Sequence, residues 1–163
     1  MIITPHLIVG AAIGAKTHNL GLIIILGLLS HWIMDKIPHW DYSISENIEF
    51  FRKTRKVKYL LKPFLKLSLD ALIGLIFVFF ITYKNIRSSE MPYIVIGVFF
   101  STLPDITLFS SLLFTSEKFS QKYFAFHKKY LHFKHKEKEG KLTFLGLTTE
   151  IIIVLIAIAL FFV

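Results

Sequence analysis

The sequence predicts an all-α fold: a polytopic membrane helical bundle of four to five helices with an interfacial amphipathic helix. Three observations predict it. Of 163 residues, 54% are hydrophobic and 18% charged, against roughly 25% charged in an average globular chain. Seventeen Phe and a mean hydropathy of +0.61 leave more apolar surface than so small a body can bury, so lipid is the natural solvent for the excess. Charge is also segregated: apolar runs alternate with stretches that hold most of the Lys and Arg behind the net charge of +8. Disorder is excluded by the hydrophobicity. With no Cys, disulfides, thiolate metal sites and thiol nucleophiles are excluded, and any metal has to use His, Asp and Glu. The length fits a single integral-membrane domain, residues 1–163, with basic cytoplasmic loops at 36–66 and 115–142.

The elements follow in order. Residues 1–15 carry no Asp, Glu, Lys or Arg. With about ten good helical residues before Lys16, they are short of the 20 or so a span needs, so a short or re-entrant helix packed on its neighbours is expected. No basic n-region precedes them, and no cleaved signal peptide is read. Residues 17–34 are also uncharged and lie at the short end of the spanning range; Pro38 ends this helix by removing a donor and restricting Ile37. Residues 71–83 form a third apolar run, its helix beginning near Leu67 and including Asp70. Residues 91–116 carry one charge, Asp105, and Pro104 before it predicts a broken helix. Residues 142–163 carry one charge, Glu150. Between these last two, Phe119, Tyr123, Phe126, Tyr130 and Phe133 recur every three or four residues with Lys on other faces. That is the pattern of a helix lying in the membrane interface, its basic face turned to anionic head groups.

The basic stretches set the orientation. Seven Lys and Arg lie from Arg52 to Lys66 and eight Lys from Lys118 to Lys141, whereas the loop between the third and fourth segments has Lys84 and Arg87. The two basic stretches share one side in an alternating topology, and the positive-inside rule makes that side cytoplasmic. The expected location is therefore the cytoplasmic (inner) membrane. His6, His31, Asp35, His39, Asp41, Asp70, Asp105, His127 and His132 then all fall toward the cytoplasm, with Glu150 about 12 Å into the last helix from the same side. Ionisable groups inside a membrane are costly and usually mark function.

Helical spacing sharpens the reading. His6, Gly10 and Gly14 share a face, as do Gly27, His31 and Asp35; Asp70 and Gly74; Gly97, Ser101 and Asp105; Gly146 and Glu150. Small residues let membrane helices approach closely, so these stripes should face the bundle and carry their polar groups inward. Within His31–Asp41, His31 and Asp35 are i,i+4 on one face, a spacing that lets an imidazole and a carboxylate reach one cation; Trp32 and Trp40 are expected as interfacial anchors. The predicted metal ligands are His6, His31, Asp35, His39, Asp41, Asp70, His127 and His132, around a divalent ion, with Zn, Mn or Fe suited to mixed N/O donors. Asp70 reads equally well as a complement to the N-terminal dipole of its own helix. His127 and His132 can both be ligands only if the helix breaks between them. Asp105 and Glu150 are the predicted catalytic carboxylates. His135 lies in a charge run and is expected to be solvated; His18 lies on the opposite side.

These residues resemble a family, the integral-membrane metal-dependent hydrolases, also described as LexA-binding, inner-membrane-associated hydrolases. Thr4-Pro5-His6 before Gly10 and Gly14 looks like its early His, Pro104-Asp105 like its Pro-Asp pair, and His127 with His132 like its two inner-loop His. The pattern departs at Thr107, where the family usually has a second Asp, and at Lys128-Lys129-Tyr130-Leu131 and Phe133, where it usually has Arg, Gly and a hydroxyl residue. The His31–Asp41 block is also similar to the His-x-x-x-Asp spacing of zinc phospholipase-like proteins.

The resulting expectation is a metal-dependent hydrolase with its His/Asp site at the cytoplasmic interface. Site position favours a lipid or amphiphilic phosphoester, so membrane lipid and a small-molecule or lipid substrate are the expected partners. Alternatives are a metal- or proton-coupled transporter and a lipid- or partner-binding assembly protein. The Gly10/Gly14 spacing would permit a homo-oligomer. Nucleic acid is not an expected partner: the Lys residues lie at a membrane surface and no recognition motif is present.

Overall fold

In the computed structural model, residues 1–131 and 141–162 are described; most of them are helical, and there is no strand among them. Seven helices follow in order: α1 (Ile3–Lys16), α2 (Leu20–Lys36), α3 (Ser45–Thr54), α4 (Lys58–Asn85), α5 (Met91–Phe114), α6 (Glu117–Phe126) and α7 (Phe144–Phe162). A π-helical turn, His127–Leu131, continues α6. Three segments are long and apolar enough to cross a membrane: Lys58–Tyr83, Ser88–Phe114 and Phe144–Phe162. This marks a membrane protein. On α4 the run Leu65, Leu69, Leu72, Ile76 and Phe80 is exposed along one side, as Leu155, Ile156 and Leu160 are on α7. In water such rows would be a liability; in lipid they are the solvated surface.

The most enclosed helix is the shortest apolar one. At 14 residues α1 is about 21 Å long, and it packs against α2, α4, α5 and α7. Its Leu7, Ile8, Ala11, Ala12 and Ala15 form one core with Val78, Ile94, Ala157 and Phe161. Small residues make this possible. A Cβ at Gly10 would collide with Ser101 and the Gly97 carbonyl of α5, one at Gly14 with the Tyr93–Ile94 backbone, and one at Gly97 with the Gly10 carbonyl. Gly27 of α2 lies against the Phe100–Ser101 backbone, Gly74 of α4 against Thr4 and Leu7, and Gly146 of α7 against His39 and Trp40. The glycine stripes are therefore lines of helix contact.

Two expectations are corrected. The helix expected from about Leu67 starts at Lys58. Its first turns are amphipathic and bury Leu60 with Ile48, Phe51 and Leu112, while Arg55, with a left-handed φ of 55°, makes the turn between α3 and α4. Much of the 36–66 stretch is thus helical. Nor does α5 break at Pro104; it runs on to Phe114. Hydroxyls bond the backbone around the proline: Thr102 Oγ1 to the Val98 carbonyl at 2.9 Å and Thr107 Oγ1 to the Leu103 carbonyl at 2.8 Å. Neither acceptor is the Phe100 carbonyl, which Pro104 leaves without its N–H donor, so the helix runs through the proline with one backbone bond fewer.

The contact between α1 and α5 gives a direct test. Gly97→Val is expected to lower the thermal stability of the detergent-solubilised protein by about 1–3 kcal/mol, because backbone on α1 has to move. Gly21→Ala, whose Cβ would meet only the Asn19 side chain at 3.4 Å, should leave it unchanged. Thermal unfolding followed by circular dichroism separates the two.

Candidate metal centre

Four side chains from three elements converge at one end of the bundle. The last turns of α2 supply His31 and Asp35, α5 supplies Asp105, and the π-helical turn after α6 supplies His127. One donor atom from each of these four lies within 4.8 Å of every other. His31 Nε2 is 3.2 Å from Asp35 Oδ2 and 3.8 Å from Asp105 Oδ1. His127 Nε2 is 3.7 Å from Asp105 Oδ1 and 4.0 Å from Asp35 Oδ2. Ligand bonds of about 2.0–2.2 Å at tetrahedral angles put neighbouring donors about 3.3–3.6 Å apart, so the four atoms already stand near coordination spacing. This His/Asp group could hold a metal ion.

The local chemistry fixes what His31 offers. Its Nδ1 is 2.8 Å from the Ser101 carbonyl oxygen. A carbonyl only accepts, so Nδ1 carries the proton, and a neutral ring then presents a lone pair at Nε2. That lone pair faces two carboxylates, and Nε2 finds no aligned hydrogen bond. Electron-rich atoms buried face to face repel unless a proton or a cation lies between them. A backbone carbonyl holding the far nitrogen is also the usual support of a metal-bound imidazole.

α6 brings His127 into place. Ser116 caps it by accepting from the Phe119 N–H at 3.3 Å. Tyr123 donates to the Pro104 carbonyl at 3.4 Å, Arg52 of α3 lies 4.7 Å over the Phe124 ring, and Arg55 pairs with Glu117 at 2.9 Å. The aromatic stripe expected at an interface thus also docks α6 on α5 and α3. The widened turn from His127 is a departure from regular helix at the place where a break was expected if His132 were to join; His132 and His135 lie outside the described residues.

The remaining predicted residues surround this group. His6 is fully buried, stacks on His31 with centroids 4.3 Å apart, and has Nε2 3.3 Å from Asp35 Oδ1. Asp41 Oδ2 is 3.8 Å from the Met1 α-amine, which lies 2.8 Å from Asp35 Oδ1. His39 Nδ1 donates to the Ile37 carbonyl at 2.7 Å. Asp70 caps α1, accepting from the Ile3 and Thr4 N–H groups and, at 2.6 Å, from Thr4 Oγ1. It does not sit at the start of its own helix, as the dipole reading supposed, because α4 begins twelve residues earlier at Lys58; the dipole it complements is that of α1. Glu150 is buried with Oε1 lacking a hydrogen bond, near Trp40, Asp41 and Asp70 rather than in the four-residue group. Thr149 beside it bonds the Pro38 carbonyl and ties α7 to the end of α2. His18 lies against Tyr93, away from the group.

Ser101 and the Met1 amine are the contributors that spacing did not reveal. Ser101 acts through its backbone carbonyl on His31 and through Oγ, which donates to the His6 carbonyl at 2.8 Å. The small-residue stripe containing Ser101 was the visible signal; the role of its carbonyl depends on how α2 packs on α5.

Compared with protein-family models, with curated proteins and with solved structures, the chain matches none.

His39 supplies a pH dependence outside the helices. Burial pushes its imidazole from 6.5 down to about 4, and the Met1 ammonium adds to the shift. Between those values the unfolded chain binds a proton that the folded one refuses, so this contribution weakens the fold as pH falls through the window. His39→Gln is expected to make stability less sensitive to pH between about 6.5 and 4 than in the wild type; parallel curves for the two proteins would contradict it.

Proposed function

We propose that the chain is a membrane-embedded, metal-dependent hydrolase whose His/Asp site opens at the cytoplasmic face of the inner membrane, acting on a lipid or amphiphilic phosphoester. The observation that carries the reading is His31 Nε2 held toward Asp35 and Asp105 by the bond of its Nδ1 to the Ser101 carbonyl. A divalent ion held by His31, Asp35, Asp105 and His127 would supply a bound water of lowered pKa and a Lewis acid for a phosphoryl or acyl oxygen. His31, Asp35 and His127 side chains are nearly fully buried, whereas Asp105 is 22% exposed. The group is therefore closed on three sides and open at Asp105. A catalytic ion keeps a coordination position for water; beside four protein donors that water would be a fifth ligand, entering on the Asp105 side. At that opening Asp105 turns Oδ1 to the two imidazoles, and its second oxygen is the atom suited to take a proton from an attacking water.

Orientation is supported by charge. The helices beside the site, α3, the start of α4 and α6, carry the basic residues from Arg52 to Lys62 and Lys118 and Lys122, which favours the cytoplasmic side and contact with anionic lipid. In this reading the bundle comprises α1, α2, α4, α5 and α7, with α6 in the interface. The resemblance to the integral-membrane metal-dependent hydrolases agrees with this site through Asp105 and His127, with His6 stacked beside it. A transporter is less well supported, because Leu7, Ile8, Ala11, Ala12, Ile94, Ala157 and Phe161 fill the way beyond the site with apolar packing.

Purified protein is expected to carry a divalent metal and to cleave a phosphodiester or lipid phosphoester substrate. His31→Ala should lose the metal and at least about 100-fold in rate, as loss of a ligand costs more than the 10–100-fold typical of a supporting group, while remaining folded by circular dichroism. A wild-type protein that binds no divalent metal, or one that loads metal and cleaves none of these esters, would overturn the reading.

A further inference from the structure

We propose that Asp35 bridges two cation sites, and that its Oδ1 forms a second divalent-cation site with His6 Nε2, with Asp41 beside it as a further carboxylate on its rim. The inference rests on the reading that the first site, on Oδ2, holds a divalent ion. The two oxygens of Asp35 serve different neighbours. Oδ2 lies 3.2 Å from His31 Nε2, and Oδ1 lies 3.3 Å from His6 Nε2. The second of these spacings is again that of two ligands on one ion.

His6 is the independent sign. It is wholly buried, and neither ring nitrogen has an aligned hydrogen bond. A buried imidazole left in that state forfeits the bonds it had in water, a cost a coordinated ion would remove. The His6 and His31 rings stack with centroids 4.3 Å apart and planes inclined by 26°. Two near-parallel imidazoles, each directing Nε2 to a different oxygen of one carboxylate, would hold two ions at about their own separation. Bridged two-metal centres have spacings of about 3.5–4 Å.

The position already accommodates positive charge. The Met1 α-amine lies 2.8 Å from Asp35 Oδ1 and 3.8 Å from Asp41 Oδ2, between the two carboxylates. Met1 and Ile2 precede α1, with Ile2 extended, so the amine is not part of the helix itself. Asp70 and Thr4 fix the first turn of α1 and with it the position of His6. A paired site would stabilise the developing charge on both the attacking and the leaving oxygen of a phosphoryl displacement, which suits the phosphoester class and gives His6 a binding role that a single-ion site does not require.

Manganese is the probe. The full chain in detergent, stripped and reloaded with Mn²⁺, is expected to hold about two ions per chain and to show the electron paramagnetic resonance spectrum of an exchange-coupled pair. His6→Ala should retain about one ion, with the coupled spectrum replaced by that of an isolated ion. Asp41→Asn should weaken the second ion and spare the first, which keeps the test decisive if His6→Ala does not fold. A wild type that saturates at one uncoupled ion, unchanged by either substitution, would overturn the second site and leave the first standing. A wild type that binds none would overturn both.

Discussion

Two carboxylates and two imidazoles buried against one another need positive charge in their midst. Removing a charged group from water costs several kcal/mol unless it is paired, and breaking a buried pair by removing one partner leaves most of that cost behind. Asp35 and Asp105 meet this constraint at His31, whose Nδ1 is committed to the Ser101 carbonyl, so that its Nε2 faces them and a proton or a cation has to lie between. The same constraint explains the surroundings. Every element that reaches this end of the bundle either contributes a donor atom or fixes one that does.

The scaffold achieves this with small residues. α1 is too short to span by itself, yet its His6 has to meet α2 and α5 at their polar ends. Contact between the Gly10 and Gly97 backbones brings α1 and α5 together, and Gly27 does the same for α2 and α5. Ser101 sits where these contacts meet, touching His6 and His31 at once. Asp70 caps the first turn of α1 and so sets the height of His6. Lipid-facing rows on α4 and α7 can stay loosely patterned, because lipid asks only that they be apolar; the inner faces cannot.

Much of this was legible in the chain. Apolar runs and the absence of Cys pointed to helices in lipid and to His, Asp and Glu as the available ligands. The i,i+4 registers of Gly27, His31 and Asp35, and of Gly97, Ser101 and Asp105, placed small and polar groups on common faces, and those faces pack together. What was not legible depends on contacts between distant segments. Asp70 looked like the start of its own helix because Lys-rich sequence precedes it, but the apolar side of that sequence buries Leu60 and extends α4 backward. Pro104 looked like a break, and α5 runs through it with one backbone bond fewer. The part played by Ser101 belongs to its carbonyl, an atom every residue has, so no residue type could announce it. His127 was among the expected ligands; what residue spacing did not specify is the widened turn that carries it.

The most direct measurement is X-ray absorption at the metal edge of zinc-loaded protein in detergent. The account predicts a shell of nitrogen and oxygen at about 2.0–2.2 Å with the outer-shell scattering of imidazole and no sulfur, and a marked fall in the imidazole scattering in the His31→Ala, His127→Ala double variant. A zinc ion surrounded only by water oxygens, or an imidazole shell unchanged in that variant, would contradict it. The buried carboxylates would then be balanced by protons on the histidines rather than by an ion.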